Sequence, residues 1–254
     1  MTSAVTTENV ARHEDARSIG VYAREGGLWP IEEQLVREHV LPPPASILDL
    51  GCGAGRTSHA LARAGWKTIA LDLSEPLLRV AHDRFPDLPL LLADAAALTF
   101  ASRAFDAVLF SFNGLDYIYP ETARVQCLAE VYRVLRPRGV FIFSSHNLIG
   151  ALFSGGYRYL RGYHNALKML MAQLGNPHWR EWYLRYDEFA GSQHHFSAPL
   201  GRTVRQLRRA GFTVVEVRGA SGDRRPHAVR MHQAHVYFVA RKPAACAECP
   251  ECQE

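Results

Sequence analysis

Three glycines in five positions, Gly51, Gly53 and Gly55 of ILDLGCGAGR (47–56), follow directly on a run of aliphatic residues. Glycine at alternate positions builds neither helix nor strand well. Its use is in a turn that takes left-handed backbone or lets the chain come close to something. Between a first strand and a first helix, such a turn lets backbone N–H groups and the helix N-terminus meet a ligand. Dinucleotide folds space these glycines as G-x-G-x-x-G, whereas Arg56 stands here where the third would fall, which argues against NAD. Asp72 follows twenty-one residues beyond Gly51, at the end of a second aliphatic run, where a carboxylate can accept both hydroxyls of a ribose. Asp49 in the first run and Asp94 at the end of the third are further acids at strand ends; each also suits a turn or helix cap. A histidine pair, His194 and His195 in SQHHFSAPL, offers imidazoles able to act as a base near neutral pH.

These residues need elements to hold them. From residue 46 to about 147, short aliphatic runs alternate with longer amphipathic stretches. SILDL (46–50), KTIALDL (67–73), LPLLLAD (88–94), FDAVLFSF (105–112) and VFIFSSHN, after the RPRG turn (136–139), read as strands. Between them, SEPLLRVAHDRF has Ser74 to cap it and Pro76 in its first turn. ETARVQCLAEVYRVL puts Val125, Leu128, Val131, Val134 and Leu135 on one face. Hydrophobic strands alternating with helices predict a doubly wound α/β fold with a parallel sheet. FTVVEVRG (212–219) and AHVYFVAR (234–241) have no helical pattern of ten residues between them, so they are expected as an antiparallel pair at a sheet edge. PPPA (42–45) connects two leading helices to the first strand.

Composition sets the limits. The 254 residues, 48% of them hydrophobic and 21% charged, suit a folded globular chain with one sizeable core. No apolar run reaches the roughly 18 residues of a spanning helix, so no membrane partner is expected. The N-terminus is polar and carries Glu8, Glu14 and Asp15, unlike a signal or transit peptide, so a cytoplasmic location follows by default. Net charge is +4, and arginine greatly outnumbers lysine across the chain. Cys52 and Cys127 lie in apolar segments and are expected as buried thiols. Cys246, Cys249 and Cys252 have the gaps of a metal clip but no evident fourth ligand, so a frayed tail and no metal are expected.

ILDLGCGAGR, LDLS, LLADAAAL, FDAVLFSF and EVYRVLRPRGVFIFSSHN together resemble, in order, the signature segments of class I S-adenosylmethionine-dependent methyltransferases of the small-molecule type. The likeness spans roughly 46–147, and RPRG stands where RPGG is common. It implies a Rossmann-like, seven-stranded, mostly parallel sheet with an antiparallel edge strand and an inserted acceptor cap, and S-adenosyl-L-methionine as cofactor. Asp49 to Gly55, Cys52 included, would face the methionine end; Asp72 would hold the ribose, with Leu73 against the adenine. Asp94 would bond the adenine amino group, with Ala95 supplying a backbone N–H. Ser111, Phe112 and Asn113 would lie beside the transferred methyl. Tyr22 resembles the tyrosine that many such enzymes fold over the cofactor from a leading helix.

The division that follows is an N-terminal helical lid (1–45), a cofactor-binding core (46–149), an acceptor-binding insert (150–200), a sheet-closing part (201–243) and the cysteine tail (244–254). Methyl transfer needs alignment above all, and a base only where the acceptor is a hydroxyl. Candidate bases or orienting groups are His195, His194, Asp116 and Tyr117. His146 stands at a strand end near the methyl, and the aromatic-rich insert contributes Trp179, Trp182 and Tyr183 as acceptor walls; a second packing layer or an oligomer contact is the other reading of that insert. Residues 202–230 hold eight arginines against Glu216 and Asp223, the basis for an alternative in which RNA or a protein is methylated. No RNA-binding module accompanies them, and NGLDY replaces the motif of base-modifying relatives, so a small-molecule acceptor is expected. A hydroxyl and an amine both remain open, as does a non-catalytic cofactor-binding protein.

Overall fold

The computed structural model describes residues 13–24, 26–153, 173–188 and 191–244, together with Asn9, Ala11, Leu167, Leu170 and Met171. The cysteine tail, Tyr157, Tyr159 and Tyr163 lie outside the described residues. Helices α1 (Ala16–Arg24) and α2 (Pro30–His39) lead into β1 (Ser46–Leu50), α3 (Arg56–Arg63), β2 (Lys67–Asp72), α4 (Glu75–Arg84), β3 (Leu90–Leu92) and β4 (Phe105–Phe110). A 3-10 turn (Gly114–Tyr117), α5 (Glu121–Val134), β5 (Leu135–Asn147) and α6 (Leu148–Phe153) follow. The hairpin β6 (Tyr183–Glu188) and β7 (Gly191–Ala198), then α7 (Leu200–Arg209), β8 (Thr213–Gly219), α8 (Pro226–His232) and β9 (His235–Arg241), complete the chain.

The central strands β1, β4, β5 and β9 are buried on both faces, which is why they read as unbroken apolar runs. Leu48, Val108, Phe110, Phe141 and Phe143 point to one side, where Leu128, Val131 and Val134 of α5 and Leu207 of α7 cover them. Ile47, Ala107, Leu109, Val140 and Ile142 point to the other, under Ile31, Leu35 and Val36 of α2 and Leu61 of α3. The two-residue period of a strand thus builds both layers. Val125 departs from the expected buried stripe and is 47% exposed. Its neighbour Arg124 turns inward instead, because a buried carboxylate, Asp116, draws it there.

The order β3-β2-β1-β4-β5 is parallel throughout. β9 pairs antiparallel with β5 and β8 antiparallel with β9, the expected closing pair, so β9 sits one strand in from the edge. The sheet has nine strands, because the hairpin of the insert adds two. His146 of β5 pairs with His235 of β9 and also with Ser197 of β7. Since β9 holds one side of β5, β7 takes the side that β4 vacates after Phe110. Strand order reverses between β1 and β4, and the crevice at their carboxyl ends is where an α/β sheet of this kind takes a ligand. RPRG, expected as a turn, lies within β5 at an irregularity in its pairing with β4, where Arg138 takes a left-handed φ of 64° that glycine adopts with less strain. Among the described residues, no helix is long and apolar enough to cross a membrane.

The insert leaves the sheet across a close contact. Asn147 Nδ2 faces the carbonyls of Val229, Arg230 and Gln233 at 3.1, 2.9 and 2.9 Å. Gly150 of α6 lies so near this turn that an added Cβ would stand 1.9 Å from the Gln233 carbonyl oxygen. Alanine ordinarily favours a helix over glycine, yet here Gly150→Ala is expected to destabilise the fold by about 1–3 kcal/mol, the cost of overpacking. A lower urea midpoint with an unchanged m-value would show it.

Candidate active site

The glycine loop joins β1 to α3, and Gly51, Gly53 and Gly55 all take left-handed φ, 61°, 53° and 82°. At Gly51 a side chain is excluded twice over, since a Cβ would also meet the Phe110 ring at 2.6 Å. At Gly53 a Cβ would meet nothing within 4 Å. The open space beside it is a cavity of about 530 Å³ at the carboxyl ends of β1, β2 and β4. Gly51, Gly53, Asp72, Leu73, Asp94, Ala95, Ser111 and Phe112 all stand on its wall, and Tyr22 and His13 come to it from the leading segment. Tyr22 packs edge-on to Phe112 at 5.4 Å and Trp29 packs on the same ring at 5.2 Å. Asp49, Cys52 and Gly55 lie behind the loop: Cys52 is buried with Ala70 and Leu78, and Gly55 backs onto Phe85. Burial first, then Asp72 and Asp49, raises the Cys52 thiol well above its ordinary range, so it stays a neutral packing group.

Asp72 ends β2. One carboxylate oxygen accepts the Gly53 N–H at 2.7 Å and the other the Ser74 N–H at 2.8 Å. Burial pushes its pKa up, and these backbone N–H groups oppose the shift. Each oxygen keeps a lone-pair direction for a further donor. Asp94 accepts the Ala96 N–H at 2.8 Å. Asp49 is fully buried; one of its oxygens accepts from the Thr57 and Ser58 hydroxyls, and Oδ1 has no hydrogen-bond partner among the described residues. Desolvation raises Asp49 to about 6 against the pull of those hydroxyls. A buried carboxylate oxygen lacking a donor, beside a left-handed glycine cradle and a cavity-facing acid, is a fit for a ligand with both a cationic group and a ribose.

Sequence reasoning missed the ion pair that ties this loop to the leading helices. Arg56 Nη1 and Nη2 donate to the two Glu32 oxygens at 2.8 and 3.0 Å, and both side chains are buried. Arg56 also donates to the Gly27 carbonyl at 2.7 Å and to Ser111 Oγ at 3.0 Å. Glu32 accepts from the Trp29 N–H at 2.9 Å, from the Ser111 hydroxyl and from the Tyr237 hydroxyl at 3.3 Å. Burial works against the Arg56 charge, but the bonds to Glu32 outweigh it and raise its pKa. The available signal was Arg56 at the position of a dinucleotide glycine, together with an acid beside Ile31 on the apolar face of α2.

The histidines converge beyond the cavity. Tyr117 lines it, with His13 edge-on at 4.9 Å and His195 edge-on at 5.8 Å. His195 stacks on His146 at 3.8 Å. His195 is fully buried, and burial, with His146, His235 and His194 nearby, holds its pKa well below the ordinary value. The backbone of His194 is bound by Asn9, whose side chain donates to the His194 carbonyl at 2.8 Å and the Tyr117 carbonyl at 3.2 Å. Asp116 lies inside the fold rather than on the wall, held by Arg124 at 2.8 Å. Asn113 turns from the cavity toward His235 and His146. Of the insert's aromatics expected as acceptor walls, Trp179 is 54% exposed and Trp182 and buried Tyr183 pack around Tyr119; none of the three lines the cavity, whereas Tyr119, which precedes the insert, does.

Four of the eight arginines in 202–230 are paired with acids of the same chain. Arg202 bonds Glu121, Arg218 and Arg224 bond Glu38 and Glu216, and Arg225 bonds Asp223. Glu38, His39 and Glu216 bring potential metal ligands within 4.8 Å of one another, but those arginines already neutralise both carboxylates.

A left-handed glycine cradle, an acid at the end of β2 and a crevice between β1 and β4 define a Rossmann-like nucleoside-binding site. A family model described as a methyltransferase domain matches residues 47–139. The chain is 38% identical over 110 residues to a demethylmenaquinone methyltransferase of Renibacterium salmoninarum, a stretch covering 42% of this chain and 45% of that protein. It is 40% identical over 101 residues to a malonyl-[acyl-carrier protein] O-methyltransferase of Salmonella typhimurium, covering 40% and 39%. It thus spans less than half the length of these curated relatives. A solved S-adenosylmethionine-dependent methyltransferase of Methanosarcina mazei shares the fold, with a TM-score of 0.63 and 20% identity over 86% of this chain and all of that one. Residues 47–139 thus match a methyltransferase domain, and S-adenosylmethionine is the cofactor that this match and the solved structures of the same fold indicate.

Two outcomes are expected of this geometry. Glu32→Ala leaves Arg56 buried without its counterion and is expected to cost about 3–5 kcal/mol. The double variant with Arg56→Met should cost less than the two single changes together in a urea-denaturation cycle. Asp49 binds its proton more tightly in the folded state than the ordinary value of 3.8. Its contribution to stability is therefore largest below that value and is lost as pH rises to about 6. The stability difference between the parent chain and Asp49→Asn should fall by about 3 kcal/mol between those pH values and stay flat above them, read from paired melts across the range.

Proposed function

We propose that the chain transfers the methyl group of S-adenosylmethionine to a hydroxyl or amine of a small-molecule metabolite, such as a natural product. One observation carries this: a single cavity brings together Gly51, Gly53, Asp72, Asp94, Ser111 and Phe112, side by side at the carboxyl ends of β1, β2 and β4 and at the ends of the intervening loops. Asp72 would accept the ribose hydroxyls with the lone pairs its two backbone donors leave. Leu73, Leu77 and Ala95 would flank the adenine, with Asp94 toward its amino group. The unpartnered oxygen of Asp49 suits the ammonium of the methionine end. When bound, the cofactor supplies a methyl group on a cationic sulfur, so the chain's own work is to orient and to exclude water. Tyr22 and Phe112 form an aromatic edge suited to a cation and, with His13, line the cavity on the side of the leading helices, while Trp29 backs Phe112.

A small-molecule acceptor is favoured over RNA because four arginines of the basic stretch are engaged by acids of the same chain. The two relatives are named for a quinone precursor and for an acyl group on a carrier protein, and neither name is that of a nucleic acid. A cytoplasmic setting suits such a metabolite enzyme. Isothermal titration is expected to give heat with S-adenosylhomocysteine and none with NAD. Asp72→Ala should weaken that binding by about 1–3 kcal/mol in a folded protein. Heat with NAD alone would overturn the proposal, and labelled methyl recovered in total RNA would replace the acceptor class.

A further inference from the structure

The carboxyl end of β5 carries a relay that cofactor binding does not use. Asp116 is fully buried and accepts four donors: Arg124 Nη1 at 2.8 Å, Ser145 Oγ at 2.9 Å, the His146 N–H at 2.7 Å and His146 Nδ1 at 2.8 Å. Arg124 is itself held by the Leu115 carbonyl at 2.7 Å and Gln206 at 3.2 Å, and it covers the Phe196 ring at 4.1 Å. A carboxylate only accepts, so the His146 proton sits on Nδ1 and the Nε2 lone pair points the other way. There it meets the amide of Asn113 at 3.4 Å, long for a hydrogen bond. Phe112 and Gly114, on either side of Asn113, line the cavity, as does Tyr117, whose ring stands edge-on to His146 at 6.4 Å. His146 thus adjoins the stretch of wall formed by Phe112, Gly114 and Tyr117.

We infer that His146, oriented by Asp116 and Arg124, accepts the proton of a phenolic or enolic hydroxyl as that acceptor is methylated. The inference rests on the methyl-transfer reading and narrows it: a neutral amine attacks with its own lone pair and has no need of a base. The hydroxyl proton passes to Nε2, forming an imidazolium beside the Asp116 carboxylate. The freed electron pair of the acceptor then bonds the methyl carbon, while the pair of the broken carbon–sulfur bond stays with sulfur. Asp116 is a positioning residue, the third member in the logic of a base held in one tautomer by a buried acid. His195 stacks flat on His146 and is held neutral by its burial, so it forms a wall for the ring and does not compete for the proton. Among the described residues, the groups facing His146 include Asp116, with Arg124 behind it, Asn113 at 3.4 Å, His195 from β7, His235 from β9 at 5.0 Å, and Tyr117.

The test uses the full chain labelled with ¹⁵N-histidine and saturated with S-adenosylhomocysteine, with catechol, 1,4-naphthohydroquinone and 4-nitrophenol as probes. The His146 ring is expected to carry its proton on Nδ1 and to change its Nε2 resonance when catechol is added; Asp116→Asn should move the proton to Nε2. With S-adenosylmethionine, His146→Gln should keep cofactor affinity, lose about 10²–10⁴-fold in transfer to catechol and lose the acid limb of the pH profile. The loss should be far smaller with 4-nitrophenol, already ionised at mildly alkaline pH, and added imidazole should partly restore His146→Gly. A proton on Nε2 in the parent chain, an unchanged rate in His146→Gln, or transfer to none of the three probes while S-adenosylhomocysteine still binds would overturn this assignment alone. Absence of S-adenosylhomocysteine binding would overturn the methyl-transfer reading, and this assignment with it.

Discussion

The buried pairing of Glu32 with Arg56 is the interaction on which the site depends. A lone carboxylate or guanidinium in that environment would carry a large desolvation cost, so each charge requires the other. Meeting that requirement joins four parts of the chain: the start of α2, the end of the glycine loop, Ser111 beyond β4 and Tyr237 of β9. The loop cannot shift without exposing a charge, and α2 cannot lift without abandoning one. A glycine-rich segment, the most freely moving kind of chain, is thereby held still. Preorganisation of a binding loop lowers the ordering cost a ligand would otherwise meet.

Around that anchor, the acids are kept in reserve. Asp49 and Asp72 are both buried at strand ends and both raised by burial. What tempers the cost differs: hydroxyls of α3 for Asp49, backbone N–H groups for Asp72. Neither set saturates its carboxylate. The fold thus stores acceptor capacity where strand order reverses, the one place where loops from adjacent strands diverge and leave a crevice.

The acceptor side is built on the same economy of pairing. β7 takes over the flank of β5 once β4 has ended, and this puts residues 195 and 146 in stacked contact although the whole insert separates them. Asp116 and Arg124 form a second buried pair, and its carboxylate sets the orientation of His146. Two buried ion pairs therefore frame the cavity, one beside the glycine loop and one behind the 3-10 turn.

Much of this was legible from local pattern. Aliphatic runs of strand length, glycine at 51, 53 and 55, Ser74 ahead of Pro76, and Asp72 at its spacing identify the layers, the loop and the cofactor wall, because period and turn chemistry are properties of neighbouring residues. The Tyr22 approach was readable as well, from its setting in a leading helix. Other features were not. Glu32, Arg56 and Arg124 look in sequence like surface charges, and Asp116 like an orienting group beside the methyl; only packing decides that each faces an opposite charge in the interior. His194 and His195 are adjacent and looked equivalent, yet a strand sends successive side chains to opposite faces, so His195 stacks inside against His146. Trp179, Trp182 and Tyr183 illustrate the same limit: composition marks an aromatic segment, but which ring reaches the cavity depends on where β6 and β7 dock. The sequence by itself determined the parallel strands, the glycine loop and the acid at the end of β2; the tertiary structure alone decided which charges are buried together and which histidine meets the acid, because partner choice depends on distances that chain order does not encode.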